Sequence, residues 1–534
     1  MSDKDRILNA AEKYDVITFD VFDTLIIRDV MKPVDVYRFC YGAIGRYFRS
    51  AAEIIARHRK KGQEVSLDDI GKFCIFSCKR EIEFEKRICR ANPDIHSAYA
   101  RLKEQGKQIF AISDMYHDNE TISALLKNAG YDIPVMVSSE YGCNKGSGRL
   151  FELFLEKYGF SASQVLHIGD NMEADVKGAE KAGINALHIN RHENILEYTK
   201  YGRSDYELAA FINHGLHSIE DPAERIGYEI IGPMVMSFCR WVHDKYKQEK
   251  YDRLFFLARD MHFIYDIYKS LYKNDDVHYL RVSRKSLASA RNAPDTICEY
   301  LKREGCFGNA AVVDTGWVGV AQTEIEGYAK MIDPSTDLGG LYLGKKLAFG
   351  IKKHSKKSYA CLYSNIYEQI SCEIKVSFLE TLIGSNEKQV IAYEKGLPVY
   401  DRAEDRDHTD RLKNGARKFV SDWTALKGGK KIDPKQSKKA FEKMFYFPKE
   451  RHMEMLGELH YEDVKDTKIN SHKEDYPYWK HPGEWLSDLG YSAWKGAFFR
   501  SSGLLGPFFL FCYFILGNAR LCISNIIRAL KNKI

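Results

Sequence analysis

Asp15–Arg28 reads DVITFDVFDTLIIR. The short apolar run Val16, Ile17, Thr18, Phe19 delivers Asp20, and Asp23-Thr24-Leu25 then turns the backbone away, which is the pattern of a buried parallel strand ending in a carboxylate. In an open α/β sheet, ligands collect at the carboxyl ends of the strands, so Asp20 stands where chemistry is done. Taken alone, the same residues also describe a turn cap. What decides between the two is whether other strands end in the same way.

They do. Lys107–Ile112 (KQIFAI) runs into Ser113-Asp114, and Val135–Ser139 is followed by Lys145 in the turn CNKGSGRLF. Gln164–Ile168 runs into Gly169-Asp170-Asn171 and then Asp175, and Asn185–Ile189 closes the series. Helical patterns at Ile95–Gln105, Asn119–Asn128 and Leu150–Tyr158 separate these strands, which predicts an α/β fold with a doubly wound parallel sheet. From Lys32 to Ala100 the apolar spacing is helical throughout, the mark of a small all-α insertion after the first strand.

The residue types at these strand ends suit phosphoryl transfer. Asp20 can attack phosphorus and carry an aspartyl-phosphate. Asp20, Asp170 and Asp175 offer hard oxygen ligands to Mg²⁺. Ser113 can donate to a phosphoryl oxygen, and Lys145 can neutralise the charge on nucleophile and phosphate.

In this order, FDVFDTL, AISD, the lone Lys145 and GDNMEAD resemble the four motifs of the haloacid dehalogenase superfamily of phosphotransferases and hydrolases. The longer wording EIEFEK, ISDMYHD, SSEYGCNKGSGRLFE and HIGDNMEADV is similar to a bacterial subgroup met in surface-polysaccharide gene neighbourhoods. The resemblance covers about residues 10 to 195. It implies a Mg²⁺-dependent hydrolase and makes residues 30–100 a helical cap over the site. One position departs from it: most phosphatases of the superfamily carry a general acid and base two residues after the nucleophile, and here that residue is Phe22, which cannot move a proton. Asp23 and Asp114 are the candidates to replace it. Dehalogenases of the superfamily also carry an aromatic residue there but lack the acidic metal ligands, so the metal-dependent phosphoryl site is the better match.

A chain of 534 residues is too long for one core and suggests two to four domains. Hydrophobic content of 44%, charged content of 29% and a net charge of +6 describe an ordinary soluble composition and do not argue for nucleic acid. Twelve cysteines without a repeating pair spacing, and the N-terminal MSDKDRILNAAEKYD without an apolar core, indicate a reduced, cytoplasmic chain.

Beyond a connection at 195–225 and a helix at Ile226–Gln248, a second α/β pattern follows. Arg253–Ala258 ends in Arg259-Asp260, His278–Val282 in Ser283-Arg284-Lys285, and Ala310–Val313 in Asp314-Thr315-Gly316-Trp317-Val318-Gly319, with Gly339–Leu343 as one more strand. Glycines 316 and 319 ahead of a helix that carries Gln322 suit an anion, and the three cations suit a phosphate or nucleotide sugar. The wording FFLARD, VSRKS and VVDTGWVG resembles the domain attached to the same subgroup, and the layout is similar in outline to phosphoribosyltransferases, although their acidic pair is reduced here to Asp314 and Thr315. Glu373 and Glu380 lie in EIKVSFLETLIGS and can approach this site, although a solvated or salt-bridged helix face accounts for either one more simply.

The expected divisions are 1–195 (superfamily domain), 196–400 (second α/β domain), 401–495 (charged helical region, its lysine runs solvated) and 496–534 (tail). The tail holds GLLGPFFLFCYFILG at Gly503–Gly517 with Arg520, Arg528, Lys531 and Lys533 after it, and Trp479, Trp485, Trp494, Phe498 and Phe499 before it. It reads as an interfacial anchor on the inner membrane face, with the aromatics as its belt. The expected activity is a phosphohydrolase or phosphotransferase acting on a phosphorylated sugar or lipid-linked glycan intermediate, beside glycosyltransferases of the same pathway. Two alternatives stay open: a phospholigand-binding scaffold of a membrane-bound polysaccharide assembly, and a glycosyl- or phosphoribosyl-type transferase centred on the second domain.

Overall fold

Val16–Phe19 (β1) is buried at every position, as expected for a central strand covered on both faces. In the computed structural model it pairs in parallel with Gln108–Ser113 (β2) on one side and Val165–Gly169 (β4) on the other. Val135–Val137 (β3) and Asn185–His188 (β5) complete a five-stranded sheet in the order β3-β2-β1-β4-β5. The structure describes residues 2–502 apart from 190–193, 200–205, 318, 346–356, 364–375, 386, 402–408, 458, 463–465, 474–475 and 479. It divides into two compact units, the first made of residues 1–195 and 201–217, the second of 196–200 and the chain from Ser218 onward.

In the first unit the register sets Phe19 opposite Ala111 and Ile168, so Asp20 leaves β1 between the ends of β2 and β4. The Asp20 N–H donates to the Ile168 carbonyl at 2.8 Å. The intervening helices form for local reasons. Pro93 opens helix Pro93–Glu104, where its missing N–H costs nothing. Asp118 caps Asn119–Asn128 by accepting from the Thr121 N–H. Ile17, Phe19, Ile109, Ile122 and Leu125 are fully or almost fully buried in the core beneath, each contributing roughly 1.5–3 kcal/mol.

The insertion after β1 is helical, with Asp35–Arg59, Leu67–Gly71 and Lys79–Ile88. It also has a feature the sequence pattern did not show. Its two ends pair as an antiparallel ribbon, Ile26–Arg28 against Cys89–Ala91. Inside it, Arg49 grips Glu81 with two guanidinium nitrogens, and both side chains are fully buried. Residues read as a connection, Tyr206–Leu216, form a largely buried helix of the first unit, with Tyr206 packed edge-on to Phe39.

The second unit has its own five-stranded parallel sheet. Arg253–Leu257 (β6), Val277–Leu280 (β7), Asn309–Trp317 (β8), Asp337–Lys345 (β9) and Ser358–Tyr363 (β10) lie in the order β10-β9-β8-β6-β7. Strand β10 and the hairpin Val390–Glu394/Leu397–Tyr400 are additions to the pattern read from sequence. Helix Asp410–Lys427 packs on Gly227–Ile231, and the absence of side chains at Gly227 and Gly415 lets the backbones meet: a Cβ on either would lie 1.9 Å from a carbonyl oxygen.

Two expectations about the later chain need correction. Trp494, Phe498 and Phe499 are buried in the second unit, Trp494 stacked on Phe378 and donating its indole N–H to the Phe445 carbonyl at 3.0 Å, so they form no interfacial belt. Lys438, in a run read as solvated, is buried with its ammonium on the Leu362 carbonyl. Among the described residues no helix is long and apolar enough to cross a membrane, and the apolar and basic stretch 503–534, Trp479 and Glu373 lie outside the described residues.

Candidate functional site

Four strand ends of the first sheet bring Asp20, Ser113, Lys145, Asp170 and Asp175 to one edge. Asp20 and Ser113 are buried where β1 and β2 stop. Lys145 is 2% exposed and its ammonium donates to Asp20 Oδ1 and Asp175 Oδ1. Asp175 is further held by the Asn171 N–H at 2.9 Å and by His167 Nε2 at 3.2 Å. Ligand oxygens of Asp20, Asp170 and Asp175 all lie within 4.8 Å of one another. Three carboxylates converging on one point are costly unless a cation sits among them, and hard oxygen donors with room for water are what Mg²⁺ takes. The acidic triad is therefore compatible with a divalent cation.

Two glycines make the convergence possible. A Cβ on Gly169 would lie 2.3 Å from the Asp175 carboxylate, and one on Gly178 would lie 2.2 Å from the Lys145 carbonyl oxygen. Larger residues would push Asp175 or the Lys145 loop off the site.

The electrostatics follow from burial among like and unlike charges. Burial pushes the Asp20 carboxyl well above its ordinary value; Lys145 opposes the shift, and Asp175 and Asp170 add to it. Burial acts the same way on Asp175, but Lys145 and His167 outweigh it and hold that carboxyl low. Burial disfavours the Lys145 charge, yet Asp20, Asp175 and Asp114 together raise its pKa. Burial lowers the His167 pKa, which keeps its ring neutral, with Nδ1 accepting from the Thr18 hydroxyl at 2.9 Å and the Nε2 proton facing Asp175. His167 was not singled out in the sequence; its only signal is its position in the strand that delivers Asp170.

Phe22 is buried in the core cluster at the position two residues after Asp20. The Arg28 guanidinium lies over its ring, 4.5 Å from the centroid. The two candidate replacements have other partners. Asp23 adopts a left-handed backbone (φ 62°), closes the turn by its N–H to the Ile26 carbonyl, and pairs with Arg28 at 3.2 Å. Both Asp114 oxygens accept from the Lys145 backbone N–H, at 2.9 and 3.1 Å, so Asp114 positions the lysine loop. Behind Arg28 lies a buried pair that the sequence did not reveal, Glu85 with His117 at 2.6 Å.

The residues named in the second half separate into two groups. Asp260 follows β6, and Asp314 and Thr315 lie in β8 just past its pairing with β6, with charges from Arg259 and Arg284 bearing on Asp260. Glu380 reaches the same place, its Oε1 3.4 Å from the Thr315 hydroxyl. The others have structural tasks. Ser283 caps helix Arg284–Ala290 and donates to the Val390 carbonyl. Lys285 is exposed beside Asp401 at 3.2 Å. Gln322 is buried, donating to the Leu338 carbonyl at 2.6 Å and accepting from the Tyr342 hydroxyl. Strand β8 continues through Gly316 and Trp317, and Gly319 caps helix Val320–Ile332. Gly316 (φ 107°) serves close packing, since a Cβ there would lie 2.3 Å from the Gly344 carbonyl oxygen. The glycine turn therefore begins later than the sequence suggested, because pairing of Gly316 and Trp317 with Gly344 and Lys345 extends the strand.

Part of the first unit is similar to known proteins. Residues 14–183 match the family model described as haloacid dehalogenase-like hydrolase. A 57-residue segment is 37% identical to the phosphoserine phosphatase of Thermus thermophilus, a match over 11% of this chain; the chain spans 23% of the length of that relative. Among solved structures, a HAD phosphatase from Thermococcus onnurineus aligns at 18% identity over 36% of this chain and 92% of its own, with a TM-score of 0.27. A family enzyme from Bacteroides thetaiotaomicron aligns at 16% identity over 34% and 97%, with a TM-score of 0.28.

Proposed function

We propose that the first unit is a Mg²⁺-dependent phosphohydrolase or phosphotransferase working through an aspartyl-phosphate on Asp20. The observation that carries this reading is Asp20 at a strand end, tied through Lys145 to Asp175 and joined by Asp170. Asp20 attacks phosphorus, the bond from phosphorus to the leaving oxygen breaks, and water or an acceptor hydroxyl then takes the phosphoryl group and restores the carboxylate. Lys145 offsets the repulsion between nucleophile and phosphate, and Ser113 orients a phosphoryl oxygen. Asp20, Asp170 and Asp175 would hold Mg²⁺, which when bound supplies charge stabilisation to the transferring group.

Phe22 shapes the substrate class. Without a proton donor beside the leaving oxygen, the reaction depends on a leaving group that is stable as an anion. A lipid-linked glycan diphosphate, whose leaving group is itself a phosphate, or an anomeric sugar phosphate meets that requirement better than a simple alkyl phosphate. Such a substrate fits a peripheral position at the inner membrane face, near glycosyltransferases, which the apolar and basic sequence of 503–534 also supports. To test the reaction, full-length protein is assayed against phosphosugars and lipid diphosphates with and without Mg²⁺, beside Asp20→Asn. Turnover should need both the ion and Asp20; equal turnover by the variant removes the nucleophile assignment. Phe22 also favours a second reading, a scaffold that binds phosphorylated ligands without turning them over. Thermal stabilisation by ligand without phosphate release would select it.

A further inference from the structure

The second unit holds a polar crevice that the first unit's chemistry does not use. Strand β6 is flanked by β7 on one side and β8 on the other, so the chain leaves it in opposite directions and opens a cleft at the strands' carboxyl ends. Ligands of open α/β sheets bind at such switch points. Arg259 and Asp260 follow β6 after Ala258, Asp314 and Thr315 lie in β8 just past the part that pairs with β6, and Arg284 begins the helix after β7. Burial pushes the Asp314 carboxyl up to about 7, the charge of Asp260 adding to the shift and Arg284 opposing it. Two carboxylates and two guanidinium groups therefore stand along the same carboxyl edge of the sheet.

Next to this cluster lies a cavity of about 200 Å³, lined by Ala258, Arg281, Glu387, Lys388, Val390 and Tyr400. Ala258, part of that lining, precedes Arg259 in the chain. The cavity is smaller than the roughly 300–1,000 Å³ of pockets for drug-sized ligands, which favours one ring over a dinucleotide. The guanidinium groups of Arg259 and Arg284 are of the type that recognises a phosphate. The Asp260 and Asp314 carboxylates can accept from hydroxyls, the pairing that vicinal diols offer. The half-exposed Tyr400 gives a flat apolar face at the rim, suited to a sugar ring.

We propose that this crevice is a second ligand site, which takes a monosaccharide phosphate with its phosphate on Arg284 and Arg259 and its hydroxyls on Asp260 and Asp314. The site is independent of Asp20 and of Mg²⁺. The test is calorimetric titration of the full-length Asp20→Asn protein, in EDTA, with glucose 1-phosphate and ribose 5-phosphate, and with glucose and inorganic phosphate as half-ligands. One of the two sugar phosphates should bind at a single site, at least tenfold tighter than either half-ligand. Asp314→Asn and Arg284→Gln should each weaken that binding tenfold or more, and Lys285→Gln should leave it unchanged. Tyr400→Ala, at an exposed position, gives the same reading if either polar variant fails to fold. Binding that is unaffected by Arg284→Gln and Tyr400→Ala, affinity no better than that of inorganic phosphate, or no binding up to millimolar concentration would each overturn the proposal. Because Asp20 and Mg²⁺ are absent from this assay, failure of the first unit's phosphoryl reading leaves its outcome unchanged.

Discussion

Lys145→Met keeps the reach of a side chain that is 2% exposed and removes its charge. Two carboxylates, those of Asp20 and Asp175, then face each other without the ammonium that now bonds both. At an effective dielectric of about 20 and a charge separation of about 3 Å, each lost attraction is worth roughly 5 kcal/mol before the desolvation it offsets. Breaking a buried pair from one side costs about 3–5 kcal/mol in practice, and that is the expected loss of stability in EDTA at pH 7. A divalent cation among Asp20, Asp170 and Asp175 would supply positive charge at the same point, so millimolar Mg²⁺ should recover much of the loss in the variant while shifting the parent protein less. Urea unfolding of both proteins, with EDTA and with Mg²⁺, reads all four values. A variant within about 0.5 kcal/mol of the parent in EDTA would refute the electrostatic account. A deficit that Mg²⁺ leaves untouched would refute the shared cation site.

Three further predictions follow from the same geometry. Phe22→Asp puts a carboxylate under the Arg28 guanidinium and should raise turnover of alkyl phosphates by about 10²–10⁴-fold while leaving p-nitrophenyl phosphate nearly unchanged; loss of the buried ring should lower stability by about 2–4 kcal/mol, read by thermal unfolding. Gly169→Ala should displace the Asp175 carboxylate and reduce Mg²⁺-dependent phosphate release at least tenfold with the fold retained by circular dichroism. Lys495 is buried with its ammonium on the Leu489 and Gly490 carbonyls, and burial holds its pKa down at about 8 against about 10.4 in an unfolded chain. Between those values the unfolded chain binds more protons, so this residue makes stability rise with pH, by up to about 3 kcal/mol. Comparing Lys495→Met with the parent at pH 7.5 and 10.5 should show the difference shrinking as pH rises.

The first sheet was legible because four of its five strands are short apolar runs stopped by Gly, Ser or Asp, a local signal that needs no knowledge of what lies across the sheet. The same directness located Asp20, Lys145 and Asp175. What the sequence concealed depends on partners far along the chain. Ser283 and Gln322 look like ligand groups at strand ends, yet their hydrogen bonds go to the Val390 and Leu338 carbonyls. Asp114 looks like an acid beside the nucleophile, yet the loop at Lys145 takes up both its oxygens. Trp494 and Phe498 have the composition of a membrane rim, but Phe378 and Phe445 give Trp494 a core to enter, and His472 and Trp485 pack against Phe498. Ile26–Arg28 is too short to show any periodicity and pairs with Cys89–Ala91, beyond the whole insertion.

That ribbon has a consequence for how the chain can change. Ile26 faces Ala91 and Arg28 faces Cys89, so the insertion departs and returns at adjacent points of the core. Everything between is a closed excursion on a two-stranded stalk. Its length and content can drift, and it can be exchanged for another or replaced by a tight turn, without altering the order of the sheet strands. The insertion still bears on the sheet edge that carries Asp20, Lys145 and Asp175, through Arg28 over Phe22, Glu85 on His117, and Glu64 on Asn144 beside Lys145.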